Sequence, residues 1–356
     1  MTNPAEALLE ELRAIEDPIN GGDIVSMDLV DDVTIEDGTA RVTLVLNTPF
    51  APAETEIGHA VREIVAEAGF EPELHARAGA KYGFDEEVLP RVRNVVAVAS
   101  GKGGVGKTTV AANLAAGLAD RGASVGVLDA DIHGPNVPRL FGIEEEPGVT
   151  PDTEMLVPPS ADGVKVMSMA FLVAEPDDPA IMRGPMMNKV MTHFLENVEW
   201  GDLDYLIVDL PPGTGDASLD LIQTLPVAGT VIVTTPQQMA LDDARKGLRL
   251  FRTYDTPILG LVENMSVFEC PSCGDLHELY AGDGADAICD DYDVAHLGTL
   301  PIHQDFGAAT PGPAIRTGPK AVRDRLEAMV ATTADELGAV NRRRVANPDA
   351  IVQAES

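Results

Sequence analysis

The N-terminal part of the chain alternates hydrophobic and polar positions with two different periods. A period of two over Arg41–Asn47 predicts a strand, and Ile57, Val61 and Val65 recur at the spacing of one helix face. The neighbouring patterns predict the remaining elements: a helix at about 4–16, a strand at about 24–36, a strand at 40–47, a helix at about 53–68 and a strand at 73–78. This order predicts a small α+β domain over residues 1–82.

Residues 83–93 break this periodicity with Gly83, Pro90 and mixed charge, as a linker does. The pattern then changes to continuous apolar runs separated by helical segments over residues 94–345, followed by a tail at 346–356. The predicted strands of this second domain are 95–99, 124–128, 164–167, 205–208, 229–234, 258–262 and 296–300. Continuous runs of this kind predict an α/β domain with a mostly parallel sheet, covered by helices on both faces, that binds ligands at the carboxyl ends of its strands.

The charge of the chain narrows the range of partners. It carries 58 Asp and Glu against 25 Lys and Arg, a formal net charge of −33. Because no excess of cations is available to displace counterions, we expect no nucleic-acid or membrane partner. No apolar run reaches the roughly 18 residues of a membrane span, and the N-terminus lacks the pattern of a signal peptide, so the expected location is the cytoplasm. The excess of carboxylates also suggests a salt-rich host.

A nucleotide site is predicted by residues 101–108, which match G-x-x-x-x-G-K-[ST], follow a predicted strand and open a helix. In such a loop, backbone amides and the helix N-terminus hold the phosphates of ATP. The Lys107 ammonium would contact the outer phosphates and the Thr108 hydroxyl would bind magnesium. The predicted nucleotide-binding residues are Gly101, Lys102, Gly103, Gly104, Val105, Gly106, Lys107, Thr108 and Thr109.

Carboxylates end two further predicted strands. Asp209 follows the apolar run "YLIV", where a contact to magnesium is expected, although a solvated turn residue is the alternative. Asp129 and Asp131 lie two residues apart, so both can face the nucleotide and one can orient a water molecule for attack.

The stretches "SGKGGVGKTT", "DADIHGPN" and "VDLPPGTGD" resemble the deviant phosphate-loop ATPases, which include MinD, ParA and the nitrogenase iron protein. The resemblance implies that Lys102 reaches across a dimer interface to the partner's nucleotide, so that hydrolysis requires a homodimer. A solvated loop lysine is the alternative. The resemblance also implies that Asp131 positions the attacking water, and that Asn264 and Pro301 lie at the adenine base.

Within this group the chain resembles the Mrp family, also called ApbC, whose members carry and transfer iron–sulfur clusters. The matching blocks include "MRGPMMNKV", "VTTPQQMAL", "GLVENMSVFECPSCG" and "LGTLPIHQDF", and they extend over nearly all of residues 94–335. Residues 5–78 resemble the SufT-like module found before many Mrp proteins. Ala51 occupies the position where some of those modules have a cysteine, which favours a docking role over metal ligation.

Cys270 and Cys273 form a CxxC pair that supplies two of the four ligands required by a [4Fe–4S] cluster or by tetrahedral zinc. Two copies related by a two-fold axis would supply all four, and the resemblance implies such a bridging iron–sulfur cluster, of the [4Fe–4S] type. Zinc, bridging or completed by His277, and a redox dithiol remain open from the motif alone. Cys289 is expected to be a small core residue on a helix.

The sequence therefore predicts a cytoplasmic, homodimeric ATPase that binds ATP, magnesium and an iron–sulfur cluster and delivers the cluster to apoproteins. The alternative is a ParA or MinD-type positioning ATPase with a structural zinc at the CxxC pair. A nitrogenase-type reductase would need a cysteine in the segment that follows Asp209, where the sequence has none.

Overall fold

The computed structural model describes residues 3–77, 88–131, 134, 136–172, 184–270, 276–280, 284–303, 306 and 312–346. The chain forms two units. Unit 1 comprises residues 1–84 and 334–356, and unit 2 comprises residues 85–333.

Unit 1 contains a small sheet and two helices near the N-terminus. Its elements are α1 (Pro4–Glu11), β1 (Val30–Glu36), β2 (Thr39–Val45), α2 (Pro52–Glu67) and β3 (Glu71–Arg77). β2 lies between an antiparallel β1 and a parallel β3. The apolar side chains of α1, α2 and the sheet form the core of this unit, together with Val345 from the C-terminal part of the chain.

Two N-terminal elements are shorter than predicted. α1 ends at Glu11 and continues only as a 3-10 turn over Leu12–Ala14. The strand predicted from residue 24 begins at Val30, because the backbone before it turns: the amide of Leu29 donates to the carbonyl of Ile24. Ile24 and Leu29 are buried in this turn, which explains why the apolar pattern suggested a strand.

Unit 2 alternates strands and helices along the chain. Its strands are β4 (Val92–Ser100), β5 (Val125–Asp129), β6 (Gly148–Val149), β7 (Leu156–Val157), β8 (Ser160–Ala161), β9 (Val164–Ser168), β10 (Leu203–Asp209), β11 (Val227–Thr234), β12 (Ile258–Glu269), β13 (Leu276–Glu278) and β14 (Ala295–Ile302). Its helices are α3 (Lys107–Asp120), α4 (Val137–Phe141), α5 (Gly184–Glu196), α6 (Asp216–Thr224), α7 (Gln238–Thr253), α8 (Asp286–Tyr292), α9 (Ala314–Thr317) and the first part of α10 (Lys320–Ala346).

Nine strands of the described chain form one sheet in the order β13-β12-β11-β4-β10-β5-β9-β8, with β14 paired to β12. The central pairs are parallel, and the antiparallel pairs lie at the two edges. Every residue of β5 and β11 is buried, as expected for strands covered on both faces. The predicted α/β class is confirmed. No helix within the described ranges is both long and apolar enough to cross a bilayer.

Of the strands in unit 2, β4 and β12 extend farthest beyond their predicted bounds. β4 begins at Val92, inside the predicted linker, because Val92 is buried and pairs with Leu203 of β10. The polar Asn94 is also buried in the strand, and its side-chain amide donates to the carbonyl of Asp204. β12 continues past its apolar run to Glu269 through an irregular stretch in which Met265 has a positive φ of 58°. The predicted tail at 346–356 lies outside the described residues, apart from Ala346, which ends α10.

α10 contributes its residues from position 334 onward to unit 1, whereas the sequence pattern assigned the chain up to 345 to the second domain. The helical pattern runs through residues 320–346 without a break, so the sequence gives no sign of this division. The burial of Arg342 explains why this end of α10 packs within unit 1. Its side chain is 1% exposed and binds Asp17 at 2.5 Å and Glu54 at 3.5 Å.

The two carboxylates respond differently to this burial. Burial raises the pKa of Asp17, but hydrogen bonds from Arg342 and from the amides of Asn20 and Ile19 outweigh it, so that pKa lies below its ordinary value. Burial raises the pKa of Glu54 to about 7, despite the opposing charge of Arg342. Near neutral pH, Glu54 therefore exchanges a proton inside the fold of unit 1.

We predict that the stability of unit 1 falls as the pH rises from 4.5 to about 7. Unfolded Glu54 releases its proton near its ordinary pKa of 4.5, whereas folded Glu54 holds it up to about 7, so rising pH favours the unfolded state. The change amounts to on the order of 3 kcal/mol at full separation of the two pKa values. Hydrogen exchange of the α2 amides, corrected for intrinsic rates, measures it.

Glu54→Gln should abolish this pH dependence, and Glu56→Gln, an exposed neighbour on α2, should retain it. The same slope in the native chain and in Glu54→Gln would disprove the assignment.

Candidate functional site

The predicted phosphate loop connects β4 to α3 at the carboxyl end of the sheet. Gly106 precedes the helix with φ of 88°, and a Cβ there would lie 2.1 Å from Nδ2 of Asn264. A Cβ on Gly101 would lie 2.4 Å from the carbonyl group of Asp243. Both positions therefore require glycine. The first turn of α3 carries no acidic residue, so the positive end of its dipole is available to an anion.

Lys107, Thr108 and Asp209 form one hydrogen-bonded group at this edge. Nζ of Lys107 donates to Oδ1 of Asp209 at 2.5 Å, and Oγ1 of Thr108 donates to Oδ2 of the same carboxylate at 2.7 Å. Lys107 is 5% exposed and Asp209 is fully buried. Nζ of Lys107 also lies 3.8 Å from Oδ2 of Asp131. The structure thus brings together side chains from three separate stretches of the sequence.

The carboxylates outnumber the ammonium groups in this buried region. Burial raises the pKa of Asp129, and the negative charge of Asp209 raises it further. Burial also raises the pKa of Asp209, and the charge of Lys107 opposes that effect. When these carboxylates are all ionised, the single charge of Lys107 does not balance them, and a divalent cation would supply the missing positive charge.

Magnesium fits these residues. A hydroxyl and a carboxylate are the hard oxygen ligands that this ion prefers, and Thr108 and Asp209 already present such oxygens at hydrogen-bond distance from each other. In the described part of the chain, no three His, Cys, Asp or Glu side chains are grouped as a metal site.

Asn264 connects β12 to the phosphate loop. Its Nδ2 donates to the carbonyl of Val105 at 2.8 Å, and its Oδ1 accepts from the amide of Met265 at 3.0 Å. The irregular stretch of β12 places this buried side chain at the end of the neighbouring strands. Pro301 lies in β14, in register with Val267 of β12. The predicted contact of Asn264 and Pro301 with adenine remains a prediction.

Lys102, near the start of the phosphate loop, contacts the turn between β11 and α7. Its Nζ lies 3.5 Å from Oε1 of Gln237, and Nε2 of Gln237 donates to the hydroxyl of Tyr280 at 2.9 Å. Lys102 thus points towards the β11–α7 turn and the segment after β13.

Cys270 is half-buried and directly follows β12, and β13 returns antiparallel beside it with Glu269 in register with Leu276. Cys273 lies outside the described residues. His277, the alternative zinc ligand, is exposed on β13, in register with Phe268.

Cys289 is buried on α8 as predicted, and burial raises the pKa of its thiol to about 11, so it remains protonated.

Two residues of the site escaped the sequence analysis. Ser168 ends β9 and donates to Asp129, and Oε1 of Gln237 accepts a hydrogen bond from Nζ of Lys102. Ser168 belongs to no recognised motif, and Gln237 lies in the block "VTTPQQMAL", to which the sequence alone assigned no individual role. In the sequence, Ser168 is marked only by its position directly after the predicted strand 164–167. Such a position places it at the edge of the sheet where the carboxyl ends of the parallel strands meet.

A glycine-rich loop before a buried helix, a lysine inside it and a carboxylate at the end of a neighbouring strand define a phosphate-loop nucleoside triphosphatase. The comparison with protein families makes this more specific. Residues 91–330 match the family described as NUBPL iron-transfer P-loop NTPase, and the chain belongs to this family. Residues 5–69 match the family described as iron-sulfur cluster assembly protein. The chain is therefore a P-loop ATPase with an N-terminal assembly module, as its resemblances implied.

Individual relatives agree with this assignment. An iron-sulfur cluster carrier protein of Synechocystis sp. is 43% identical over 83% of this chain and 86% of its own length. Another carrier protein of that name, from Deinococcus radiodurans, is 39% identical over 92% of this chain and 94% of its own length.

Solved structures show the same fold. A nucleotide-binding protein of Archaeoglobus fulgidus in complex with ADP is 36% identical, with a TM-score of 0.55, and the match covers 70% of this chain and 90% of that one. The cell division ATPase MinD of Pyrococcus furiosus has a TM-score of 0.50 at 22% identity, over 67% of this chain and 97% of that one. The resemblance to the MinD group is confirmed for the fold.

Proposed function

We propose that this protein is a homodimeric carrier that binds an iron–sulfur cluster through Cys270 and Cys273 of both chains and delivers it to apoproteins under the control of ATP. The family, the carrier names of the relatives and the phosphate loop support this proposal. The observation that carries it is the course of one strand. β12 holds the phosphate loop through Asn264 and, six residues later, reaches Cys270.

The cargo site would be completed by assembly. One chain offers two thiolates, and a cluster of the [4Fe–4S] type takes four. A two-fold dimer that brings both Cys270–Cys273 pairs to its axis would hold the cluster between the chains, where a change in dimer geometry can release it. The cluster is thus a cargo that the carrier gives up, and the apoproteins are its recipients.

Nucleotide binding would rearrange the buried ion pair. The phosphates of ATP compete with Asp209 for the Lys107 ammonium, because both are anions and Lys107 has one charge to share. Asp209 and Thr108 are then available to magnesium, which would neutralise phosphate charge. Asp131 would orient the attacking water, since its carboxylate lies 3.8 Å from Lys107.

This rearrangement would reach the segment after Asp209. Leu210 donates its amide to the carbonyl of Val98 in β4, and Gly213 donates to that of Ser100. A shift of Asp209 therefore acts on a segment that is bonded to the phosphate loop's own strand. We propose that this segment responds to the γ-phosphate and changes the dimer interface.

Lys102 would act across that interface. An ammonium supplied by the partner chain can neutralise charge that develops in phosphoryl transfer, as an arginine finger does. The protein would hydrolyse ATP slowly as a monomer and faster as a dimer.

The N-terminal module would dock partners, and the high acidity argues for protein partners rather than nucleic acid or membrane. Thiolate-held clusters suit the reducing cytoplasm, where we place the protein.

The cluster assignment predicts iron and labile sulfide at about half a four-iron cluster per chain in protein purified without oxygen in high salt. Cys270→Ser combined with Cys273→Ser should remove both, because the remaining chain has no thiolate pair. Cys289→Ser, which changes the buried thiol on α8, should leave both in place. Metal, sulfide and absorbance analysis gives the answer. Zinc at one ion per dimer or per chain, without sulfide, would favour the positioning-ATPase alternative.

Lys102→Ala should lower the dimer-dependent ATPase rate by at least about a hundredfold. The affinity for ATP should stay within threefold, because Lys107 and the loop amides hold the nucleotide. Lys246→Ala, which removes an exposed lysine of α7, is the matched control. The specific activity as a function of protein concentration and a nucleotide titration measure the two effects. Unchanged turnover in Lys102→Ala would refute action across the interface.

A further inference from the structure

Ser168 places a hydroxyl against the first aspartate of the "DAD" segment. It is the last residue of β9 and lies in register with Asp129, the last residue of β5. Both side chains are fully buried. Oγ of Ser168 donates to Oδ2 of Asp129 at 2.9 Å.

The direction of this hydrogen bond is fixed by a second one. The amide of Ala170 donates to Oγ of Ser168 at 3.0 Å. A hydroxyl has one proton to donate, and with an amide occupying an acceptor position it directs that proton to the carboxylate. The backbone after β9 therefore orients Ser168, and Ser168 orients Asp129.

Asp129 in turn holds the backbone on both sides of the following loop. Its Oδ1 accepts from the amide of Asp131 at 3.3 Å, and its Oδ2 accepts from the amide of Val137 at the start of α4 at 3.1 Å. Within the described residues, Ser168 is the one side-chain donor to this carboxylate, since the other two donors are backbone amides. A substitution can remove only the bond from Ser168.

We propose that Ser168 is a positioning residue for ATP hydrolysis. Its hydroxyl fixes the orientation in which Asp129 holds the backbone of Asp131, and thereby holds the Asp131 carboxylate at the phosphate loop. This inference rests on the proposed role of Asp131 as the residue that orients the attacking water.

The effect belongs to the chemical step rather than to nucleotide binding. The phosphate loop and Lys107 hold the nucleotide, and Ser168 contacts neither in the structure. Loss of the hydroxyl removes one of the two donors to Oδ2 of Asp129. We expect the carboxylate to shift as a result and to move the backbone of Asp131 with it. Misplacement of a catalytic group lowers the rate of a reaction whose substrate still binds.

Ser168→Ala should therefore lower kcat for ATP by about tenfold, as expected for loss of one hydrogen bond to a charged group, with KM unchanged within twofold. Ser168→Cys, which keeps a weak donor of similar size, should recover part of the rate and serves if the alanine variant folds poorly. Thr230→Val is the matched control: it removes a buried hydroxyl of β11 that has no partner among the described residues, and it should leave kcat unchanged.

A double-mutant cycle with Asp131→Ala separates positioning from general stability. If Ser168 acts through Asp131, then Ser168→Ala should not lower kcat any further in the Asp131→Ala background. Equal fold-losses of kcat in both backgrounds would overturn the inference. An unchanged kcat in both Ser168→Ala and Ser168→Cys would do the same, as would a rise in KM at constant kcat. A native kcat in Asp131→Ala alone would instead refute the role proposed for Asp131, on which the inference rests.

Discussion

The pairing of the Lys107 ammonium with the Asp209 carboxylate is the interaction on which the rest of the site depends. Both charges are buried, and each would be costly to bury alone. Their pairing joins the start of α3 to the end of β10 and gives the Thr108 hydroxyl its acceptor. An anion that enters the phosphate loop must compete for this lysine. We propose that nucleotide binding is thereby linked to the position of Asp209 and of the segment that follows it.

β12 connects this site to the proposed cargo. Its amide side chain at Asn264 supports the phosphate loop, and its end leads into the CxxC pair. The strand departs from regular geometry between these two points, at Met265. An irregular strand fits a connection that can change shape, because its ladder of hydrogen bonds is already interrupted. Only six residues along the chain separate Asn264, which contacts the phosphate loop, from Cys270.

Much of the fold could be predicted from the sequence. The buried parallel strands are continuous apolar runs, and the phosphate loop has a motif whose glycines have steric reasons, which Gly101 and Gly106 show directly. The sequence could not reveal that α10 is divided between two units, because its helical pattern has no break. Nothing in the sequence distinguishes the buried Arg342 from an exposed arginine. The roles of Ser168 and Gln237 depend on which strand ends become neighbours, and that information is long-range.

The central claim is that ATP at the phosphate loop controls the cluster at Cys270 and Cys273. The most direct test is the rate of cluster transfer from the loaded protein to an apo-ferredoxin, followed by circular dichroism with and without ATP and magnesium. The account predicts that ATP changes this rate in the native protein and leaves it unchanged in Lys107→Ala, which loses the contact to the phosphates. Equal transfer rates with and without ATP in the native protein would contradict it.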